Sequence, residues 1–309
     1  LLLTKILLKT NPKKNMEFLK RTNGAVFFVD ILGFGALTQN QINLNDKDFS
    51  VWLDKYHQSY DNQVLAASIL AEFREILNKI DRKNKNVVIS QLSDCAFVWS
   101  ENIKEVIIVA NNIMSECINN GIFCRGGLSY GEILETYQNH KLGRFIVGNA
   151  VTEAVKLEGI AKGCRIMISQ EFPHNLFEQD QEFSNRIFPL FQPFINPLDY
   201  LTYDEFKWYF APFMAENINE IINSDKKSKI KLTRQRLKLA NKLRLAPKFS
   251  WNAKSSQGLV HLRASINFIA ESKDNIFKIQ HEFGWEDVCE TRSYESVEKV
   301  EKMINEEIR

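Results

Sequence analysis

The feature that most constrains this chain is a short apolar run that ends in an acid. Val26-Phe27-Phe28-Val29 has the β-branched and aromatic make-up of a buried strand. Asp30 closes it, and Gly33 and Gly35 follow within five positions. A strand that delivers a carboxylate to a glycine turn suits a divalent cation beside a phosphate chain. Carboxylate oxygens are hard ligands for Mg²⁺ or Mn²⁺, and backbone N–H groups exposed in such a turn can cradle phosphate oxygens. A capped turn with no ligand has the same local pattern, so the reading depends on a second acid downstream.

That acid comes from a hairpin. Val87-Val88-Ile89 and Ala96-Phe97-Val98-Trp99 are apolar runs separated by Ser90-Gln91-Leu92-Ser93-Asp94-Cys95, which predicts two strands with Ser93-Asp94 at or near the turn. Leu65, Ile69, Leu70, Phe73, Ile76, Leu77 and Ile80 recur at helical spacing before it, and Val106–Ile118 forms a strongly apolar helix after it. Phe123–Tyr130 reads as a strand carrying Arg125-Gly126-Gly127, Gly148–Ala161 as a helix and Arg165–Ser169 as a strand. The order strand, helix, hairpin, helix, strand, helix, strand predicts an α+β sandwich with helices covering one face of the sheet. Residues 39–48 read as a polar loop.

Three regions follow: 1–24 as an N-terminal extension, 25–170 as the catalytic domain, and 171–309 as a C-terminal extension packing on the core or on a dimer partner. Leu1–Lys9 is apolar, broken by lysines and too short to span a bilayer. Beyond Glu171, four prolines lie among six phenylalanines, from Phe172 to Pro197, and predict an irregular packed segment. Lys226–Lys248 carries ten Lys/Arg. It reads as a solvated helix face, with attraction of a triphosphate or nucleic-acid contact as the functional alternatives. Tyr294, Val297, Val300, Met303 and Ile304 predict a last amphipathic helix.

Composition narrows the function. The chain has 309 residues, enough for a substantial core, and a net charge of +2. Nothing global points to nucleic acid or to stable membrane contact. The five cysteines (Cys95, Cys117, Cys124, Cys164, Cys289) show no paired spacing, as expected of reduced thiols in a cytoplasmic protein. His57, His140, His174, His261 and His281 share no metal-ligand spacing.

Four motifs, in order over roughly Ala25–Ser169, resemble those of the class III nucleotidyl cyclases. Phe28-Val29-Asp30-Ile31-Leu32-Gly33-Phe34 is similar to Phe-x-Asp-Ile-x-Gly-Phe. Leu92-Ser93-Asp94-Cys95 resembles the family's Gly-Asp hairpin tip, with Ser93 in place of Gly. Arg125-Gly126-Gly127-Leu128-Ser129-Tyr130-Gly131 is similar to Arg-x-Gly-Ile-x-x-Gly. Gly148–Leu157 resembles Gly-x-x-Val-Asn-x-Ala-x-Arg. The resemblance implies a ferredoxin-like βαββαβ palm-type catalytic domain. It implies two Mn²⁺ or Mg²⁺ ions held by Asp30, Asp94 and the Ile31 carbonyl. Gly33, Phe34 and the turn they open would take the β- and γ-phosphates.

The implied reaction is attack of the ribose 3′-hydroxyl on the α-phosphate with loss of diphosphate. The resemblance also implies a homodimer with its sites at the interface, Asp30 and Asp94 coming from one subunit and Thr152 and Lys156 from the other. Thr152 and Lys156 stand where the family has its transition-state Asn and Arg. Lys156 keeps the charge but not the bidentate fork.

The positions that read a purine base are Ser90 and Phe145, and neither makes the usual contacts. The resemblance therefore points to the pyrimidine branch, the Pycsar cyclases of bacterial anti-phage defence. These turn UTP or CTP into cUMP or cCMP, which acts on a separate cyclic-nucleotide-sensing effector. Phe28 shares the strand parity of Asp30 and can face the nucleotide. Phe27 is a further candidate for the nucleotide, although its parity is that of the core unless the strand end twists. Arg125 is either a phosphate contact or a structural ion pair. A purine cyclase and a degenerate nucleotide-binding domain remain the alternatives, with nucleic-acid binding through the basic stretch a weaker third.

Overall fold

The computed structural model describes residues 19–53, 59–136, 144–213, 226–270 and 302. Its centre is β1 (Leu19–Ile31). The first five residues of β1 alternate between exposed and half-buried, and from Gly24 onward nearly every residue is buried. Alternation marks a sheet with one wet face, and continuous burial marks a strand covered on both. The polar end Leu19–Asn23 and the apolar end Ala25–Ile31 are therefore in different environments, as their residue types require.

Two antiparallel partners flank β1. One is β3 (Cys95–Ser100), itself paired with β2 (Val88–Leu92), and the other is β4 (Cys124–Thr136). The order β2-β3-β1-β4 is the ferredoxin-like arrangement that the motif resemblance implies. A two-residue strand, β5 (Ile146–Val147), pairs with β4.

Helices lie on both faces, not on one as the element order suggested. The helices α3 (Asn62–Lys83) and α4 (Ile103–Asn120) pack with Phe27, Val29 and Ile31 in the main core. Asp61 caps α3, accepting from the N–H groups of Gln63 (2.8 Å) and Val64 (2.9 Å). Gly121, at φ +85°, ends α4 in the left-handed conformation that glycine adopts at least cost. Two short helices, α1 (Phe34–Thr38) and α2 (Asp46–Leu53), join this layer. So Asp46–Asp48, expected within a loop, opens a helix.

On the opposite face, α5 (Asn149–Ile160) packs Ala150 and Ala154 over Val26, Phe28 and Trp99. A Cβ at Gly127 would overlap the Ala154 carbonyl oxygen, and one at Gly126 would overlap the Phe27 ring. The paired glycines let a helix approach one face of the sheet and an aromatic ring the other.

Beyond β6 (Ile166–Ile168), which runs parallel to β4, the chain stays regular. The segment from Phe172 forms α6 (Phe172–Gln179), α7 (Gln181–Ile187) and the hairpin β7 (Phe191–Ile195) and β8 (Thr202–Phe206), which extends the same sheet beside β6. Its phenylalanines supply the buried faces of these elements: Phe172, Phe183 and Phe206 are fully enclosed. Pro193 sits on β7, the last strand in the order, where a missing N–H is tolerated.

The basic stretch is α8 (Lys226–Leu245), which packs on α9 (Ser256–Ala270). Leu237, Ala240 and Leu243 bury one stripe of α8, and Arg236 is drawn inside to donate to the Ile269 carbonyl. The helix expected over 294–304 lies outside the described residues, apart from Lys302. His57, His140, His281 and Cys289 also lie outside them. No helix among the described residues is long and apolar enough to cross a membrane.

Candidate active site

Strand register brings the two acids together. Asp30 lies opposite Cys95 of β3 on one side and Arg125 of β4 on the other. Directly opposed residues of antiparallel strands share a face, so these three side chains form one row. Asp94 is at the hairpin tip, and its carbonyl accepts from the Ile31 N–H at 3.0 Å. That bond ties the tip to the residue after Asp30. The tip itself is strained. Ser93, standing where the resemblance expects glycine, has φ +57°, a conformation that costs a non-glycine residue roughly 1–2 kcal/mol.

The surroundings make Asp30 a reluctant anion. Burial, reinforced by the nearby charges of Glu158 and then Asp94, pushes its carboxyl up from 3.8 to about 7, while Arg125 pulls the other way. Burial raises Glu158 as well, against the pull of the same Arg125. Burial together with Asp30, Asp94 and Glu158 holds the Cys95 thiol up at about 11, so it stays protonated. Three carboxyl groups thus crowd one corner that Arg125, with Lys162 acting on Glu158, only partly neutralises.

This corner fits Mg²⁺ or Mn²⁺ by the chemistry of its donors. The carboxylates are hard oxygen ligands, and a divalent cation would relieve the repulsion that lifts Asp30. Among the described residues, no group of three His, Cys, Asp or Glu side chains is arranged to enclose a metal ion. Two carboxylates such as Asp30 and Asp94 can anchor cations while a polyphosphate and water fill the remaining positions, the usual way in which Mg²⁺ is held. The Ile31 carbonyl, the third donor expected from the resemblance, belongs to the residue whose N–H binds Asp94.

The other expected site residues divide. Phe28, Phe97 and Ser90 stand opposite one another in successive strands, one row along from Asp30 on the same face. Phe28 is mostly buried, with its ring centre 4.7 Å from that of Phe97. Phe27 does not belong to the site. It is 0% exposed and faces the main core, so strand parity prevails and no twist reverses it. Phe34 is likewise packed in that core and has only its backbone to offer.

Arg125 is committed within the protein. Its Nε pairs with Glu158 and its Nη1 donates to the Ala161 carbonyl at 3.2 Å, so of its two expected roles the structural ion pair is the one formed. Thr152 and Lys156 lie on the exposed face of α5, away from the buried stripe of Ala154, Leu157 and Glu158. The Thr152 hydroxyl donates to the Gly148 carbonyl at 3.2 Å. Phe145, 49% exposed, precedes β5, and its N–H donates to Thr136 Oγ1.

Three participants escaped the sequence reading. Glu158 carried a signal: it is a carboxylate on the apolar stripe of α5. Trp251 and Asn252 carried none, being more than two hundred residues from the turn they cover. Gly33 turns at φ +84°, with the Trp251 ring 3.3 Å from where a Cβ on Gly33 would lie. Asn252 donates to the Leu32 carbonyl at 3.4 Å. Farther along, His261 Nδ1 accepts from the Gly163 N–H (3.1 Å) and Ser265 Oγ from the Cys164 N–H (2.8 Å). Burial, helped by Arg125 and Lys162, depresses His261 to about 4, so it remains neutral. The C-terminal segments thus support both the glycine turn and the loop after α5.

No family model and no curated protein matches the chain. Solved structures with a similar arrangement include the guanylyl cyclase Cya2 (11% identity, 60% of this chain and 91% of that one, TM-score 0.42). A dimeric guanylyl cyclase domain of the RhoGC fusion protein from the aquatic fungus Blastocladiella emersonii is another (19%, 60% and 96%, 0.40). The adenylyl cyclase CyaB from P. aeruginosa is a third (16%, 61% and 94%, 0.40).

Proposed function

We propose that this protein is a metal-dependent nucleotidyl cyclase acting on a pyrimidine triphosphate, UTP or CTP, and releasing the 3′,5′-cyclic nucleotide and diphosphate. The observation that carries the reading is the pairing of Asp30 with Asp94 at adjoining strand ends, in surroundings that disfavour a bare Asp30 anion. Such a corner gains most from a divalent cation.

Mg²⁺ or Mn²⁺ bound there supplies Lewis acidity at the 3′-hydroxyl and neutralises the triphosphate. The chain's own groups do the positioning. Asp30 and Asp94 fix where the cations bind. The Gly33 turn, braced by Trp251 and Asn252, presents backbone N–H groups to the outer phosphates. Arg125 holds Glu158 and so keeps α5 seated on the sheet. Lys156 and Thr152 face outward on α5 and serve the site of a second copy in a homodimer, where Lys156 offsets charge on the α-phosphate. Ser90, beside Phe28 and Phe97, contributes a hydroxyl and an aromatic neighbour to a small base, with Phe145 at the rim. The cyclic product would act on a separate effector, as in the anti-phage systems that the motifs resemble.

One observation favours a second reading, a catalytically degenerate nucleotide-binding domain. Thr152 replaces an amide, and its hydroxyl proton is already given to Gly148. One assay separates the readings: each of the four NTPs is incubated with purified protein and Mn²⁺, and cyclic product and diphosphate are measured. Turnover of UTP or CTP supports the proposal. Turnover of ATP or GTP alone overturns the pyrimidine assignment, and nucleotide-dependent stabilisation without diphosphate release favours the degenerate reading.

A further inference from the structure

The hairpin tip that presents Asp94 has a strained backbone, so something must hold it. Ser93 is in the left-handed region at φ +57°, where the β-carbon is unfavourable and glycine would be at ease. Two hydrogen bonds converge on the tip. The Ile31 N–H donates to the Asp94 carbonyl at 3.0 Å, and Gln91 Nε2 donates to the Ser93 carbonyl at 2.9 Å. The Ser93 and Asp94 carbonyls belong to the two peptide planes that meet at the Asp94 Cα, so fixing both sets the direction in which the Asp94 side chain leaves the backbone.

Gln91 is itself oriented. Arg74, on α3, donates from Nε to Gln91 Oε1 at 2.8 Å. A guanidinium can only donate and a carbonyl can only accept. The amide of Gln91 can satisfy both neighbours in one orientation alone, with its oxygen toward Arg74 and its nitrogen toward Ser93. A helix outside the candidate site is thereby linked, through one side chain, to the backbone that carries Asp94.

We propose that Gln91 is a positioning residue that locks the strained Ser93–Asp94 tip and so aims Asp94 at the cation corner, with Arg74 setting the orientation of its amide. The inference rests on the reading of Asp94 as a metal ligand. It makes a specific demand: the lock matters because Ser93 is not glycine. Replacing Ser93 by glycine relieves the strain and makes the lock dispensable.

The test uses the full chain as wild type, Gln91→Leu, Ser93→Gly and the double variant. Two readouts are needed: Mn²⁺ affinity from water proton relaxation, and hydrogen exchange at the Ile31 amide, which reports whether the tip stays docked. Gln91→Leu should weaken Mn²⁺ binding and speed Ile31 exchange, each by about fivefold, the worth of one modest hydrogen bond. The double variant should return to within about twofold of wild type on both, because strain and lock cancel. A merely structural role for Gln91 gives no rescue by glycine.

Unchanged exchange in Gln91→Leu overturns the proposal, as does a double variant no better than the single one. Faster exchange with unaltered Mn²⁺ affinity also overturns it, since the tip would then not aim a ligand. If the wild type takes up no Mn²⁺, the metal-site reading fails on its own account, and Ile31 exchange alone decides whether Gln91 locks the tip.

Discussion

Replacing Asp30 by asparagine should stabilise the metal-free protein at alkaline pH. The side chain keeps its size and polarity but loses an ionisation that the folded state resists. In the fold the Asp30 carboxyl is raised from 3.8 to about 7, chiefly by burial, then by Glu158 and Asp94. A raised carboxyl means that the folded state holds its proton longer than the unfolded chain does. Below pH 3.8 both states are protonated and Asp30 costs nothing. Between there and about pH 7 the unfolded chain releases its proton first, so stability falls as pH rises, and above pH 7 the full cost is present.

The upper bound, at 1.36 kcal/mol per unit, is about 4 kcal/mol. Asp30 is only partly buried, and solvent screening reduces this to roughly 2 kcal/mol. That should raise Tm by about 3 °C. The assay is thermal melting with chelator, wild type against Asp30→Asn, from about pH 4 to about pH 8.5, a range that spans the shift. The Asp30→Asn variant should gain its advantage between about pH 4 and 7 and keep it above. Glu158 enters both proteins and cancels to first order. Adding millimolar Mn²⁺ should reverse the order, because only the wild type gains from binding. An Asp30→Asn variant no more stable than wild type at about pH 8 in chelator would refute the charge-crowding argument.

Other expectations concern the surroundings of the site. Arg125→Ala leaves Glu158 buried without its partner and should cost about 3 kcal/mol in urea unfolding, part of which Glu158→Gln should return when added to it. Gly33→Ala forces a β-carbon into the left-handed region at φ +84° and toward the Trp251 ring. It should cost roughly 1–2 kcal/mol, and its urea midpoint should fall with an unchanged m-value.

The inner fold was legible because its signals were local. The run Val26–Val29 and the helical spacing of Leu65 to Ile80 each have one sensible burial pattern, and a two-residue link at Ser93-Asp94 leaves the strands no choice but to pair. The helix on the second face was harder to foresee. Nothing in Gly148–Ala161 says which side of the sheet it covers, and that depends on Gly127 letting α5 come close. The segment after Phe172 misled because prolines and phenylalanines hide periodicity. Its strands are short, and Pro193 stands on the last one, where proline is allowed.

At the site, the parity of Phe28 and Asp30 was readable; the same parity puts Phe27 in the core, and counting it among the nucleotide contacts set that parity aside. Whether Arg125 meets phosphate or carboxylate is not encoded locally, because its partner Glu158 is thirty-three residues away on a helix whose side of the sheet the sequence does not specify. Trp251 over Gly33 is a contact between distant segments that no local pattern encodes.

The central claim is that Asp30 and Asp94 anchor the cations that drive loss of diphosphate from a nucleoside triphosphate. It is tested most directly by following diphosphate release from UTP and from CTP with Mn²⁺, using wild type and Asp30→Ala protein shown by circular dichroism to share one fold. The account predicts diphosphate and cyclic nucleotide in equal amounts from the wild type, and none from Asp30→Ala. Undiminished release by the folded Asp30→Ala protein would contradict it.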